Sequence, residues 1–242
     1  EGDSAEDIVN GFLRATIAGF SDDFATARIF LHRVASEAWD PAAIVRAYTG
    51  TTAPVVGRDE SGAVKVAVEL VGSIDTAGVL TTGASAEAGS TSSYTASYSL
   101  ATDGLGQWRI VDLPSGVLLP AGSLSTNFVA TSLYFLTPDR GRFVPELRWL
   151  PRRNLAAAAV QALLDGPGDW LATGASSALP DGMTLAAGGV TLEGETVTVT
   201  LDASAAGLGE QDRSLAVAQL NATLSRIEGV SSVVVMAEDQ PT

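Results

Sequence analysis

Two kinds of residue in this sequence could do chemistry: one histidine among scattered carboxylates, and a run of arginines. His32 is the only histidine, and it stands beside Arg33 in a helical stretch. With no cysteine and no second histidine, disulfides, thiolate zinc sites, histidine-cluster metal sites and a cysteine nucleophile are excluded. General acid–base work would have to recruit His32, Asp40 or Asp75, and nothing favours one over the others. A serine, histidine and acid arrangement would need His32 near a nucleophile elbow, a motif missing from its region. A solvated or helix-capping histidine is the simpler reading. Asp22 with Asp23 is expected at a helix start, where negative charge suits the helix dipole, and Glu238 with Asp239 in a solvated tail. Gly188 with Gly189 and Gly207 with Gly209 do not lie between a strand and a helix as a phosphate cradle requires, so they read as turns. No catalytic, cofactor-binding or metal residue is assigned.

The arginines are concentrated in "RGRFVPELRWLPRRN", residues 140 to 154, which holds five of the 14 basic residues of a chain whose net charge is -14. Arg140 and Arg142 flank a glycine turn and are expected in solvent. Arg148 is expected on the outward face of a strand beside Glu146, an exposed pairing worth well under ~1 kcal/mol. Arg152 and Arg153 come where a helix begins, and cations there oppose the dipole by about a few tenths of a kcal/mol. That conflict calls for a partner: a carboxylate or carbonyl elsewhere in the chain, which is favoured, or an anionic ligand. Arg148, Arg152 and Arg153 are therefore the candidate interface residues.

The elements that must position these groups follow from periodicity. Ile8, Phe12 and Ala15, with Val9, Leu13 and Ile17 beside them, predict a helix with Gly19 as its stop. Ser21 is expected to cap a short second helix, and "WDPAAIVRAY" a third, with Asp40 as N-cap and Pro41 at its first position. After Thr49 the period becomes 2: Val64, Val66, Val68 and Leu70, then Tyr94, Ala96, Tyr98 and Leu100, then Trp108 and Ile110, read as antiparallel strands. Residues 114 to 127 form a connector whose Val117, Leu118 and Leu119 are expected to be packed, as an added strand, holding the two domains rigidly together. Beyond it the order β-β-α-β-β-α-β predicts a mixed sheet with two helices. On the second strand Phe143, Leu147 and Trp149 are expected to share one face, leaving Glu146 and Arg148 on the other. The fold class is α+β with two domains: a cone-like three-helix plus antiparallel-sheet domain at 1–113, and a second domain at 128–238.

Composition limits the functions further. At 46% hydrophobic residues and mean hydropathy +0.23 the chain is a folded body, and its longest apolar runs are too short to span a bilayer. A pI near 4.3 argues against nucleic acid. Both halves are acidic, with 15 acidic and 7 basic residues in 1–125 and 13 and 7 in 126–242. The polar, acidic start does not have the form of a signal peptide.

"LYFLTPDRGRFVPELRWLPRRNLAAAAVQALLDGPGDWL", with "GVTLEGETVTVTLD" and "LAVAQLNATLSRIEGVSSVVV", resembles the GerMN domain of spore-germination proteins. The carriers are the LYF strand, Val144, Pro145 and Arg148 of the return strand, the helix ending in Leu164, Gly166 and Pro167, and the AQL helix. "RWLPR" and "SSALPDGMTL" are similar to the version in LpqB-type lipoproteins of actinobacteria, where it follows a nuclear-transport-factor-like cone domain. The resemblance implies a non-enzymatic, extracytoplasmic lipoprotein without a cofactor. It also implies binding to, and modulation of, the sensor histidine kinase MtrB of the MtrA/MtrB two-component system in cell-wall homeostasis and division. Full-length members carry a lipidated cysteine, their only membrane attachment, and a C-terminal β-propeller, a further partner. Neither is in this sequence, which therefore reads as a trimmed fragment. The alternatives are a cell-wall module binding peptidoglycan or another glycan and, third, a cone-fold enzyme.

Overall fold

The first helix begins where the sequence supplies a complete N-terminal cap: Ser4 and Asp7 exchange side-chain and backbone hydrogen bonds, satisfying two donors that a helix start leaves open. The computed structural model describes residues 3–82, 92–238 and 240–241, so Asp239 of the paired acids lies outside the described residues. The chain divides into two compact units, Glu1–Thr76 with Leu80–Asn127, and Ala77–Val79 with Phe128–Thr242.

Unit 1 runs α1 (Ala5–Asp22), α2 (Ala25–Arg28), α3 (Arg33–Ala38), β1 (Ile44–Tyr48), β2 (Val55–Arg58), β3 (Val64–Asp75), β4 (Leu80–Thr82), β5 (Ser92–Thr102), β6 (Trp108–Asp112), β7 (Val117–Pro120) and the short α4 (Leu124–Asn127). Its sheet has the order β6-β5-β3-β1-β7, with β2 and β4 also paired to β3. All pairs are antiparallel except β1 with β7, which puts the buried Val117, Leu118 and Leu119 into the sheet as the sequence suggests. Phe12 of α1 meets Trp39 and Tyr98 edge-on at 5.2 and 6.0 Å, forming the centre of this core. The Trp39 indole N–H donates to the Gly116 carbonyl at 3.1 Å, so its one polar group is satisfied in the interior.

Two expectations for this unit are corrected. The third helix is not at 40–48: Asp40 accepts from Ala42 N at 2.9 Å in a tight turn, and Ile44–Tyr48 is a strand between β3 and β7. Its β-branched Ile44 and Val45 suit a central strand, and the available partners on both sides override the capping signal. Gly19 does not stop α1, which continues through Ser21 to Asp22. The glycine is there because a Cβ would lie 2.1 Å from Cδ1 of Phe24. Asp22 ends α1, and its carboxylate accepts from Thr26 N at 3.1 Å in α2, while Asp23 takes the left-handed conformation.

Unit 2 runs β8 (Phe128–Leu136), β9 (Phe143–Pro151), α5 (Leu155–Leu164), α6 (Asp169–Ala172), β10 (Leu185–Glu193), β11 (Thr196–Leu201), α7 (Glu210–Leu224), β12 (Ser232–Ala237) and β13 (Gln240–Pro241). The expected single mixed sheet is two: the hairpin β8-β9, and β10-β11-β12-β13, in which only β11 and β12 are parallel. The buried core draws on both sheets and both long helices, through Leu133, Phe135, Val160, Leu163, Val197 and Leu220 among others. β9 also reverses the expected facing. Glu146, Arg148 and Leu150 are buried, while Leu147 is 58% exposed.

Gly19→Ala is expected to destabilise the chain by about 1–3 kcal/mol, since Phe24 must move to admit the methyl; a lowered denaturation midpoint with an unchanged slope checks this. In unit 2, Asp202 accepts from Ser204 and Thr184 through both their hydroxyls and their backbone amides. These bonds, the Ser204 hydroxyl foremost, hold its carboxyl far below the ordinary 3.8. Because the folded value is the depressed one, the stabilisation is complete above the unfolded value and is lost as pH falls below it. Thermal midpoints of Asp202→Asn should accordingly fall less steeply than those of the parent as pH drops from about 5 to 2.

Candidate functional site

The residues able to do acid–base chemistry are used locally. His32 is exposed and caps α3, its Nδ1 accepting from Val34 N at 3.4 Å, while its backbone N–H donates to the Ile110 carbonyl. Asp40 serves the turn described above, and Asp75 is exposed at the end of β3. A cavity of about 270 Å³ in unit 1 is lined by Asn10, Arg14, Ile17, Tyr48 and their neighbours, and none of His32, Asp40 or Asp75 reaches it. Among the described residues no three His, Asp or Glu side chains converge as a metal site.

The arginines separate into three environments. Arg140 sits in the β8–β9 turn and pairs in solvent with Asp212 at 2.6 Å. Arg148, expected outside, is 2% exposed, and its Nη2 donates to Glu146 at 2.6 Å. Its Nη1 donates to the Ala77 carbonyl, within the same unit. The Glu146 carboxylate also accepts from Gly168 N at 3.1 and 3.2 Å, where the chain enters α6. A Cβ at 168 would lie 2.7 Å from Glu146 Oε1, so any side chain there would have to displace the carboxylate. Each charge thus has a second partner, the condition under which a buried pair is tolerated. Arg148 Nε finds no acceptor among the described residues. The sequence signal for this burial was the Arg148 position within the GerMN pattern, since strand alternation by hydrophobicity points the wrong way.

Arg152 and Arg153 are exposed just before α5. Arg152 lines an open groove of about 820 Å³ in unit 2. Its walls are the first half of β8 with Ala130 and Ser132, the start of α5, the edge strand β10 with Val190 and Leu192, and the loop after α7 with Arg226. The Arg226 guanidinium lies over the Tyr134 ring at 4.9 Å. No aromatic ring lines the groove itself, so a sugar would find no stacking platform there.

Sequence reasoning missed the residues that close the remaining length of β8. Gln219 and Thr223 of α7 are fully buried. Gln219 Nε2 donates to the Tyr134 carbonyl at 2.7 Å, its Oε1 accepts from Ala178 N at 2.6 Å, and Thr223 Oγ1 accepts from Tyr134 N at 3.2 Å. Only the glutamine within the AQL motif hinted at this, because an apolar-stripe search passes over polar positions.

The protein is thus built of two α+β units, the second of which carries an open groove. The pattern described as "Lipoprotein LpqB, N-terminal domain" matches residues 1–125, and that described as "Sporulation and spore germination" matches 132–242. The chain belongs to the LpqB lipoprotein family. It is 33% identical over 237 residues to Lipoprotein LpqB of Cutibacterium acnes and 31% identical over 230 residues to that of Bifidobacterium longum, alignments covering 96% and 90% of this chain. It spans only 38% and 39% of the length of those relatives. Among solved structures, the tandem GerMN domains of the sporulation protein GerM from Bacillus subtilis match with a TM-score of 0.38 at 19% identity, over 48% of this chain and 41% of that one.

Leaving Arg148 buried without its carboxylate, as in Glu146→Leu, should cost about 3–5 kcal/mol. Replacing both, with Glu146→Leu and Arg148→Met together, should cost less than Glu146→Leu alone, which urea denaturation of the two variants would show.

Proposed function

We propose that this chain is the extracytoplasmic, non-enzymatic part of a lipid-anchored lipoprotein, and that it acts by protein contact. Its partner in this reading is the extracytoplasmic domain of the sensor histidine kinase MtrB, whose two-component signalling in cell-wall homeostasis and division it modulates. The observation that carries the reading is the groove of unit 2, where apolar strand-edge residues meet the arginines Arg152 and Arg226 and a single carboxylate, Glu228, in an otherwise strongly acidic chain. Protein interfaces favour arginine beside apolar side chains. The use of His32 as a helix cap and of Asp40 in a turn supports a role without turnover. Membership in a family of lipoproteins supports the envelope location and the anchor. The groove without aromatic lining favours a polypeptide over a cell-wall glycan. A β-propeller following this region would be a further, intramolecular partner.

Immobilised kinase extracytoplasmic domain should bind the chain saturably in a biosensor assay, and Arg152→Glu with Arg226→Glu should weaken that binding at least about tenfold. Absence of binding, together with substrate turnover that disappears in Asp40→Asn or His32→Ala, would replace the reading by the enzyme alternative.

A further inference from the structure

The peptide groups along the groove can be accounted for one by one. In an antiparallel pair, alternate residues turn both N–H and C=O away from the partner strand. In β8, Tyr134 is such a residue: it faces Pro145, which has no N–H, and its own groups go to Thr223 and Gln219 of α7. Two residues on, Leu136 exchanges both its groups with Ser176, at 2.8 and 2.9 Å. Two and four residues back, the same alternation turns Ser132 and Ala130 outward. The opposite strand confirms the phase: Trp149, paired with Ala130, sends its N–H away from β8 to the Gly78 carbonyl at 2.7 Å. Ser132 and Ala130 both line the groove, and among the described residues nothing takes their outward groups.

The other wall has the same character. β10 is an edge strand, and its hairpin with β11 turns through two residues, Gly194 and Glu195, between Glu193 and Thr196. A two-residue loop closes on a hydrogen-bonded pair, so Leu192 and Val190 belong to the alternate set and direct N–H and C=O outward. These are the two β10 residues that line the groove, and Leu192 is 56% exposed. Among the described residues, two unfilled strand edges therefore border one groove.

We infer that this groove is a strand-addition site, which takes an extended segment of another protein bearing alternate apolar side chains and a carboxylate. Main-chain bonds to the Ala130 and Ser132 edge, or to the Val190 and Leu192 edge, supply the register, and apolar walls take every second side chain. The carboxylate is specified by Arg226, which stacks on Tyr134 and has no carboxylate within ion-pair distance among the described residues. Net charge argues against a second copy as occupant, since two chains of -14 repel. This inference deepens the protein-contact reading and rests on it.

The probe is a capped heptapeptide of alternating valine and threonine with a central glutamate, titrated into the full chain and followed by amide NMR shifts and calorimetry. The expected result is saturable binding with the shifts centred on Ala130, Ser132, Val190 and Leu192. N-methylation of the peptide at one alternate set of residues should weaken binding roughly tenfold or more, and at the other set hardly at all. Arg226→Glu should reverse the preference between the glutamate peptide and its lysine counterpart. Ala130→Pro removes an outward N–H without touching a β8–β9 ladder bond, and should weaken binding by a similar factor. Should that variant fold poorly, the methylated peptides and Arg226→Glu still decide. No binding at about 1 mM peptide, equal binding of both methylated forms, or shifts centred elsewhere would overturn the assignment. So would protection of these amides that rises with protein concentration alone, the sign of a second copy. The kinase domain, tested with the same variants, separates the two readings. Peptide binding without kinase binding leaves the groove assigned and removes the kinase as partner, whereas kinase binding indifferent to both peptide and Arg226→Glu overturns the groove.

Discussion

A β-strand carries hydrogen-bonding groups on two edges, and a two-stranded hairpin satisfies only one edge of each strand. Unit 2 is organised around that deficit in β8. Towards its C-terminal end the outer edge is covered by Ser176 and by the Gln219 and Thr223 side chains of α7. The packing of α7 follows from this, because its inward face is a mixed one of Ala216, Gln219, Leu220, Thr223 and Leu224. Where α7 ends, at Leu224, the cover ends too, and the groove opens beside the first residues of β8. The position of the groove is thus a consequence of helix length as well as of side-chain size.

Charge is handled in two ways, and the magnitudes differ. Arg140 with Asp212 is a solvent-exposed pair, a class worth ~0–1 kcal/mol at most. Glu146 with Arg148 is buried, where each ion forfeits several kcal/mol of hydration, so the pair persists only because Gly168 N and the Ala77 carbonyl supply further partners. Its net contribution to stability is accordingly small, while loss of one partner alone is costly. That explains why a short helix, α6, is placed so exactly: Gly168, its N-cap, has to meet the carboxylate.

Much of the fold was legible because half-buried strands keep a strict two-residue period. The alternation at Val64, Val66 and Val68 and at Ala96 and Tyr98 is buried as read, and the hairpin around Gly194 lies where the threonine and valine pattern puts it. Ile44–Tyr48 was misread since Asp40 and Pro41 are as good at opening a turn as at opening a helix, and only the neighbouring strands decide. Gly19 was read as punctuation when it is a packing contact with a ring five residues away. The lining of the groove was legible in part. Arg152 does line the groove, Arg148 is buried in an ion pair, Arg226 and Leu192 stand inside quoted GerMN-like stretches without having been singled out, and Ala130 lies outside them. Strand edges are set by tertiary pairing, and periodicity cannot report which edge is left open.

The facing of β9 has a kinetic side. Before its distant partners arrive, a hairpin is guided by hydrophobicity, and hydrophobicity alone would turn Leu147 and Trp149 inward and leave Glu146 and Arg148 in water. The native facing gains its advantage only once Gly168 and Ala77, 22 residues downstream of Glu146 and 71 upstream of Arg148, have closed on the pair. Slippage by one residue exchanges the two faces. The hairpin, although its strands are adjacent in sequence, thus has its native facing held by contacts distant in sequence as well as by its own alternation.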